Sequence, residues 1–256
     1  MNDLRLPLRG PGNALPCLVM LPGTLCDARV FDGQRRVLRG VAEVHVVDYR
    51  GLTDAGQWVR HLLEVVPPRF SVAGFSLGGL WALELMRLAP RRVQRLAMIA
   101  SNAQGASARG QRKSDRLWKM WRDCGPGEVA RHVKPAYFHH EKKRREHARL
   151  VHDMAMRTPR KAAAAEFDWA AVRPDGYSVL SQFHGPVLLA SGAKDRLCPP
   201  SWQQAMLQAQ PSAIWLELLR VGHFLPLEAP KPLGYALRAW MQTPIPNSTQ
   251  LQETPC

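Results

Sequence analysis

The chain has 256 residues, 46% hydrophobic and 22% charged, the balance of a globular protein with a sizeable core rather than a disordered one. Thirty-five Lys and Arg against 21 Asp and Glu give a net charge of +14, which bears on attraction toward acidic partners and not on fold. No apolar run reaches the ~18 residues of a membrane span, and the opening Met1-Asn2-Asp3-Leu4-Arg5 lacks a signal peptide's apolar stretch. Five scattered cysteines (Cys17, Cys26, Cys124, Cys198, Cys256) contain no C-x-x-C pair, which argues against a disulfide framework or a structural zinc site and for a reduced, cytoplasmic protein.

Strand and helix signals alternate through the first hundred residues. Residues 17–21 form a short apolar run stopped by Pro22-Gly23, as a buried strand entering a turn does. Asp27 is placed to cap a helix reaching Leu38, and residues 43–48 read as a second strand. Thr53 or Asp54 opens a helix carrying Trp58, Leu62, Leu63 and Val66, closed by Pro67-Pro68. Residues 70–74 give a third strand, residues 77–88 an apolar helix, and residues 94–100 a fourth strand. Strands separated by helices imply parallel pairing with right-handed crossovers.

From Ser101 to Gln182 the rhythm breaks into a polar, helical segment, including a helix over Glu141–Arg157 and another opened by Thr158-Pro159. Between Ser101 and Ala165 stand 16 basic and 6 acidic residues, so ten of the fourteen net positive charges lie there. Alternation then resumes with strand 186–191, a helix after Pro199-Pro200, strand 213–219 and a last helix over 232–241. The expected organisation is an α/β core of residues 1–100 and 183–242, a basic helical insert at 101–182 and a disordered tail at 243–256.

Gly74-Phe75-Ser76-Leu77-Gly78 is a G-x-S-x-G at a strand-to-helix junction. A sharp turn there strains Ser76, and the small residues on either side let strand and helix approach. The serine oxygen is then exposed beside a helix N-terminus whose N–H groups can receive a developing oxyanion. A serine nucleophile needs a base and an orienting acid, arriving later in the order Ser, Asp, His. His223, in Val221-Gly222-His223-Phe224, lies just beyond strand 213–219, and Asp195 follows strand 186–191; both loops belong to the carboxyl edge of the sheet. Asp168 and Asp175 lie before that strand rather than in the loop after it, and Asp48 lies before the serine.

With these residues in place, the chain resembles the α/β-hydrolases, and within them the small bacterial esterases around the pimeloyl-[acyl-carrier protein] methyl ester esterases. The resemblance spans residues 14–242 and includes Leu21-Pro22-Gly23-Thr24-Leu25-Cys26-Asp27, the G-x-S-x-G turn, the Asp195 loop and Gly222-His223. It implies a mostly parallel sheet flanked by helices, with 101–182 as a lid over the active site. It further implies Ser76 as nucleophile, His223 as general base, Asp195 as the group holding the imidazole tautomer, and oxyanion donors at the N–H of Leu77 and of Thr24, or Leu25 in place of Thr24. Where many relatives carry His-Gly, this chain has Pro22-Gly23, and its first strand begins after only sixteen residues, leaving room for one extra edge strand at most.

The activity expected is carboxylic-ester hydrolysis through an acyl-enzyme, with no metal or organic cofactor. Thioester hydrolysis, lactone hydrolysis and cofactor-free perhydrolysis use the same fold, and a non-catalytic binding protein with a basic insert is the alternative of another class. The run Lys142-Lys143-Arg144-Arg145, with Arg149, Arg157, Arg160 and Lys161, reads either as a solvated helix face or as a dock for an acidic acyl carrier protein, with Arg144, Arg145 and Arg149 as its contacts. A nucleic-acid partner ranks below both, since no recognition module or aromatic platform accompanies the charge. His132, His139, His140, His147 and His152 show no metal-ligand spacing and are expected on the surface. Trp118, Trp121, Phe138, Met154 and Met156 are expected to form the apolar underside of the insert.

Overall fold

A computed structural model describes residues 15–51, 54–133, 137–139 and 144–246. The apolar run at Cys17–Leu21 forms strand β1, and Asp27 caps a 3-10 turn (Ala28–Phe31) that continues as helix α1 (Asp32–Val37). Strand β2 (Glu43–Val46) follows, then helix α2 (Ala55–Val65), whose cap is Asp54: its Oδ1 accepts the Gln57 N–H at 2.7 Å. Thr53 lies outside the described residues. Strand β3 (Phe70–Phe75) runs directly into α3 (Leu77–Leu88), and β4 (Val93–Ile99) closes this half.

The insert then packs α4 (Ala108–Cys124), α5 (Pro126–Val133), α6 (Arg144–Met156), α7 (Arg160–Val172) and α8 (Tyr177–Ser181). Pro159 caps α7 from outside rather than occupying its first turn. Strand β5 (Val187–Gly192), α9 (Pro200–Ala209), β6 (Ile214–Leu218), α10 (Leu225–Glu228) and α11 (Pro230–Gln242) complete the described chain. The short α8 and α10 carry too few residues for a periodic signal and were not anticipated. The room for an N-terminal edge strand and most of the tail (247–256) fall outside the described residues.

The six described strands pair in the order β2-β1-β3-β4-β5-β6, every ladder parallel. Side chains alternate across the sheet, so Val19, Leu21 and Val72 feed the core on one face while Leu18, Met20, Ala73 and Phe75 feed the core on the other. The chain steps from β1 outward to β2 and back past β1 to β3, which opens a crevice at the carboxyl ends of β1 and β3. The loops after β1, β3, β5 and β6 all emerge on that edge.

The insert is tied to this edge by apolar packing and by buried polar contacts, among them one between Leu25 and Glu166. Leu25, in the loop after β1, packs in a cluster with Trp121, Val129, Ala155, Ala163 and Phe167, and Trp169 stacks on Trp81 with ring centroids 4.6 Å apart. Trp121, Phe138 and Met154 are buried as expected, whereas Met156 is 53% exposed and belongs to the outer face of its helix. His147, expected on the surface, is buried against Phe138. Leu25 itself adopts φ 55°, and its N–H donates to Oε2 of Glu166 at 2.7 Å across 141 residues of chain. Glu166 is 1% exposed, so this carboxylate lies fully inside the seam between insert and core.

A buried N–H stripped of its acceptor costs about 1–3 kcal/mol. Glu166→Leu should therefore lower the melting temperature by several degrees, at roughly 2–4 °C per kcal/mol for a chain of this size. Glu166→Gln keeps an acceptor oxygen and should recover much of the loss. Thermal denaturation followed by circular dichroism reads the difference; equal melting temperatures for the two variants would show that the contact carries no stability.

Candidate active site

The turn between β3 and α3 is built by steric necessity. Ser76 sits at φ 53°, ψ −114°, outside the regions open to an ordinary L-residue. A Cβ on Gly74 would collide with the Gly78 carbonyl, and one on Gly78 with the Leu21 carbonyl, so these two positions admit only hydrogen where α3 crosses β3 and β1. The turn is pinned by the Ser76 N–H donating to Ile99 O at 2.9 Å and by the Ser101 hydroxyl donating to Ser76 O at 2.7 Å. Ser76 is thereby half-buried with its hydroxyl facing the crevice, and no side chain caps the α3 N-terminus beside it.

Asp195 follows β5, and its Oδ1 accepts the N–H groups of Leu197 (2.8 Å) and Cys198 (2.9 Å), which fix the carboxylate plane. Its Oδ2 accepts from His223 Nδ1 at 2.8 Å, and His223 Nε2 stands 3.0 Å from Ser76 Oγ. With the proton on Nδ1, the hydroxyl of Ser76 donates to Nε2, and the three side chains form one continuous chain. Asp195 and His223 are 4% and 2% exposed, so water does not compete for the inner bond. Asp168 is exposed on α7, Asp175 accepts the Tyr177 N–H, and neither joins this group.

The loop that carries His223 is held from two sides. His223 N–H donates to Tyr137 O at 2.8 Å, while Glu228 accepts the N–H of Gly222 (3.1 Å) and of His139 (2.7 Å). A Cβ at Gly222 would strike Tyr137 O, so the close approach of the two segments requires glycine. The Tyr137 ring meets the imidazole edge-on at 5.6 Å, and burial pushes its phenol up to about 12, so the hydroxyl stays protonated at neutral pH. Tyr137, Glu228 and Glu166 carried no motif in the sequence; each works through contacts distant in the chain.

Of the expected oxyanion donors, Leu77 and Thr24 line the same cavity as Ser76 and His223. The loop after β1 lies against the serine, close enough that a Cβ on Gly23 would sit 3.3 Å from Ser76 Cβ. Leu25 also borders the cavity, but its N–H is committed to Glu166. The cavity measures about 230 Å³ and is walled largely by apolar side chains, with Phe75 and Leu197 from the core and Leu117, Val129 and Phe167 from the insert.

Asp195, Cys198 and His223 place one donor atom each within 4.8 Å of one another. The Asp195 and His223 atoms there are spent on their mutual bond, and burial raises the Cys198 thiol well above its ordinary range, which disfavours the thiolate a metal would need. Among the basic residues proposed from the sequence, Arg145 and Arg149 are exposed on α6. Arg144 opens that helix with its side chain outside the described set, and His140, Lys142 and Lys143 are outside the described residues altogether. No helix among the described residues is long and apolar enough to cross a membrane.

Comparison with known proteins agrees with this architecture. Over 109 residues the chain is 37% identical to a pimeloyl-[acyl-carrier protein] methyl ester esterase of Nitrosomonas europaea, covering 40% of this chain and 42% of the relative. The corresponding protein of Citrobacter koseri is 33% identical over 110 residues with the same coverage, so the match spans about two fifths of these curated relatives. Among solved structures, the enol-lactonase of Burkholderia xenovorans LB400 superposes with a TM-score of 0.80 at 21% identity, over 91% of this chain and 93% of that one. A thermophilic esterase of Thermogutta terrifontis gives 0.76 at 24% identity over 90% of both chains. A family profile described as alpha/beta hydrolase family matches residues 18–233, and with the parallel sheet and the serine turn at its carboxyl edge, the chain belongs to the alpha/beta hydrolase family.

Proposed function

We propose that the protein is a carboxylic-ester hydrolase in which Ser76, His223 and Asp195 act as a catalytic triad. The observation that carries this reading is the unbroken hydrogen-bonded chain from the Asp195 carboxylate through His223 to Ser76 Oγ, opening on an apolar cavity. Ser76 Oγ attacks the ester carbonyl carbon while His223 Nε2 takes its proton. The carbonyl oxygen becomes an oxyanion, received by the N–H of Leu77 and the N–H of Thr24; Leu25 is set aside because Glu166 already holds its N–H.

Collapse of the tetrahedral intermediate breaks the carbon–oxygen bond to the alcohol, and the imidazolium returns the proton to that leaving oxygen. Water then attacks the acyl-enzyme with His223 again as base, releasing the carboxylic acid and regenerating Ser76. Asp195 keeps the proton on Nδ1 and stabilises the imidazolium formed in each half. Residues 101–182 serve as the lid, contributing the cavity wall opposite the serine and excluding water from the acyl group.

A second reading makes the ester carrier-linked. It is favoured by the names of the sequence relatives and by the exposed Arg145 and Arg149 on the outer face of the lid. An acidic carrier would meet these cations in solvent, where attraction is screened beyond about 8 Å at physiological ionic strength.

Ser76→Ala should abolish ester turnover, by about 10⁴–10⁶ in kcat, with the far-ultraviolet circular dichroism unchanged. A fluorophosphonate should label the native protein at Ser76 alone. Labelling at another residue, or an alanine variant within tenfold of native activity, would overturn the nucleophile.

Asp195→Asn should keep the fold and lose about 10⁴ in kcat, because an amide can hold the imidazole in the wrong tautomer. Asp168→Asn and Asp175→Asn should change kcat little. A loss at either position comparable to that at Asp195 would transfer the orienting role.

For the carrier-linked reading, the double replacement Arg145→Ala/Arg149→Ala should raise KM for a carrier-bound methyl ester and leave a small neutral ester nearly unaffected. Added salt should mimic it. Equal effects on both substrates would mean damage to the lid instead.

A further inference from the structure

The cavity beside Ser76 is walled mainly by apolar side chains, and two cations also border it. Lys113 comes from α4 and Arg173 from the end of α7, and both border the space that Ser76 and His223 open into. Lys113 Nζ lies 5.7 Å from the centroid of the Tyr137 ring, the same ring whose centroid is 5.6 Å from the imidazole of His223. These two distances cap the ammonium-to-imidazole separation at about 11 Å. Both cations also act on the thiol of Cys198, whose Sγ is within 4.8 Å of the Asp195 and His223 donor atoms.

Neither cation has its charge answered by the protein. No carboxylate among the described residues forms an ion pair with Lys113 or Arg173; Asp195, whose charge acts on Lys113, is engaged by His223 and two backbone N–H groups. Arg173 spends Nε on Gln104 O (2.9 Å) and Nη1 on Ala170 O (2.5 Å), which orients the guanidinium and leaves Nη2 without a protein acceptor among the described residues. Burial pulls the Lys113 ammonium and the Arg173 guanidinium below their ordinary ranges, as it does for charges lacking a counter-ion. A cationic wall of this kind discriminates by charge: an anionic ligand gains a charge-assisted bond, and a neutral one leaves the cation dry and unpaired.

We infer that Lys113 and Arg173 form an anion subsite, and that the preferred substrate is a small ester bearing a second, free carboxylate, that is, a monoester of a dicarboxylic acid. This deepens the ester-hydrolase reading and rests on it. A carboxylate suits the planar fork of Arg173, and the distance cap limits the chain between the two carbonyl groups to a short aliphatic spacer, which the apolar walls cover.

The test compares methanol release from a chain-length series of methyl monoesters of straight-chain dicarboxylic acids with the methyl esters of monocarboxylic acids of matching length. In the native protein kcat/KM should favour the anionic member by about ten- to a hundredfold at the best length, the range for one charge-assisted hydrogen bond. In Lys113→Met that ratio should fall toward unity, chiefly through KM, and Lys113→Arg should restore most of it. No preference in the native protein, or a preference that Lys113→Met leaves intact, overturns the subsite. A gain confined to a phosphopantetheine-linked methyl ester also overturns it and returns the charge to a carrier's phosphate. If no ester turns over and a fluorophosphonate fails to label Ser76, the hydrolase reading falls by itself. The subsite is then still judged by calorimetric binding of the free dicarboxylates, which should be lost in Lys113→Met; equal binding by both proteins refutes it.

Discussion

Ser76 occupies φ 53°, ψ −114°, a conformation that costs a non-glycine residue on the order of 1–3 kcal/mol and survives only where its surroundings over-determine it. The fold supplies that over-determination. β3 enters the turn paired on both sides, β1 at Leu21↔Gly74 and β4 at Phe75↔Ile99, and α3 leaves it packed so closely that Gly74 and Gly78 admit no side chain. Ser101, buried beyond β4, holds the Ser76 carbonyl from behind and is itself fastened by Gln203 from α9. The strained turn therefore draws on four elements of the core, and in return aims one hydroxyl into the crevice at the sheet's carboxyl edge.

Around that hydroxyl, each partner is fixed by groups that do no chemistry. Two backbone N–H groups set the Asp195 carboxylate, Tyr137 O and Glu228 set the His223 loop, and Glu166 occupies the N–H of Leu25 next to Thr24. Such contacts fix the three side chains before any ligand arrives, which is how a preorganised site is built. The contributions of Glu166 and Tyr137 come from the 101–182 segment, so the segment that covers the site also holds it in register. The core and this segment are thus coupled at the crevice.

The strong positive charge divides into two populations with different physics. Arg145, Arg149, Arg157, Arg160 and Lys161 are exposed, where water and salt dissipate most of their field. Lys113 and Arg173 are half-buried on the cavity wall, where the lower polarity of their surroundings strengthens any charge they meet. Composition counts the two kinds alike, and only the tertiary structure separates them by depth.

What the sequence alone determined is the set of features written in local pattern. The strands at Cys17–Leu21 and Phe70–Phe75 are predominantly apolar, without polar alternation, because both faces of a parallel sheet are covered. Helix Leu77–Leu88 follows the serine directly because the turn permits no spacer, and Asp195 and His223 stand in loops after strands because parallel strands all end on one edge. The strand–helix alternation, the fold class and the three side chains that the fold joins by hydrogen bonds were accordingly legible, whereas the order of the strands in the sheet was not. Only the tertiary structure decided which neighbours those groups have. It buried His147 and exposed Met156 against expectation, split the helix after Asp27, and committed the N–H of Leu25 to Glu166. It also separated Lys113 from the other basic residues of its segment by turning it toward the cavity. The reason is the same in each case: periodicity and spacing report forces between residues a few positions apart, whereas a hydrogen bond across 141 residues leaves no mark on either local sequence.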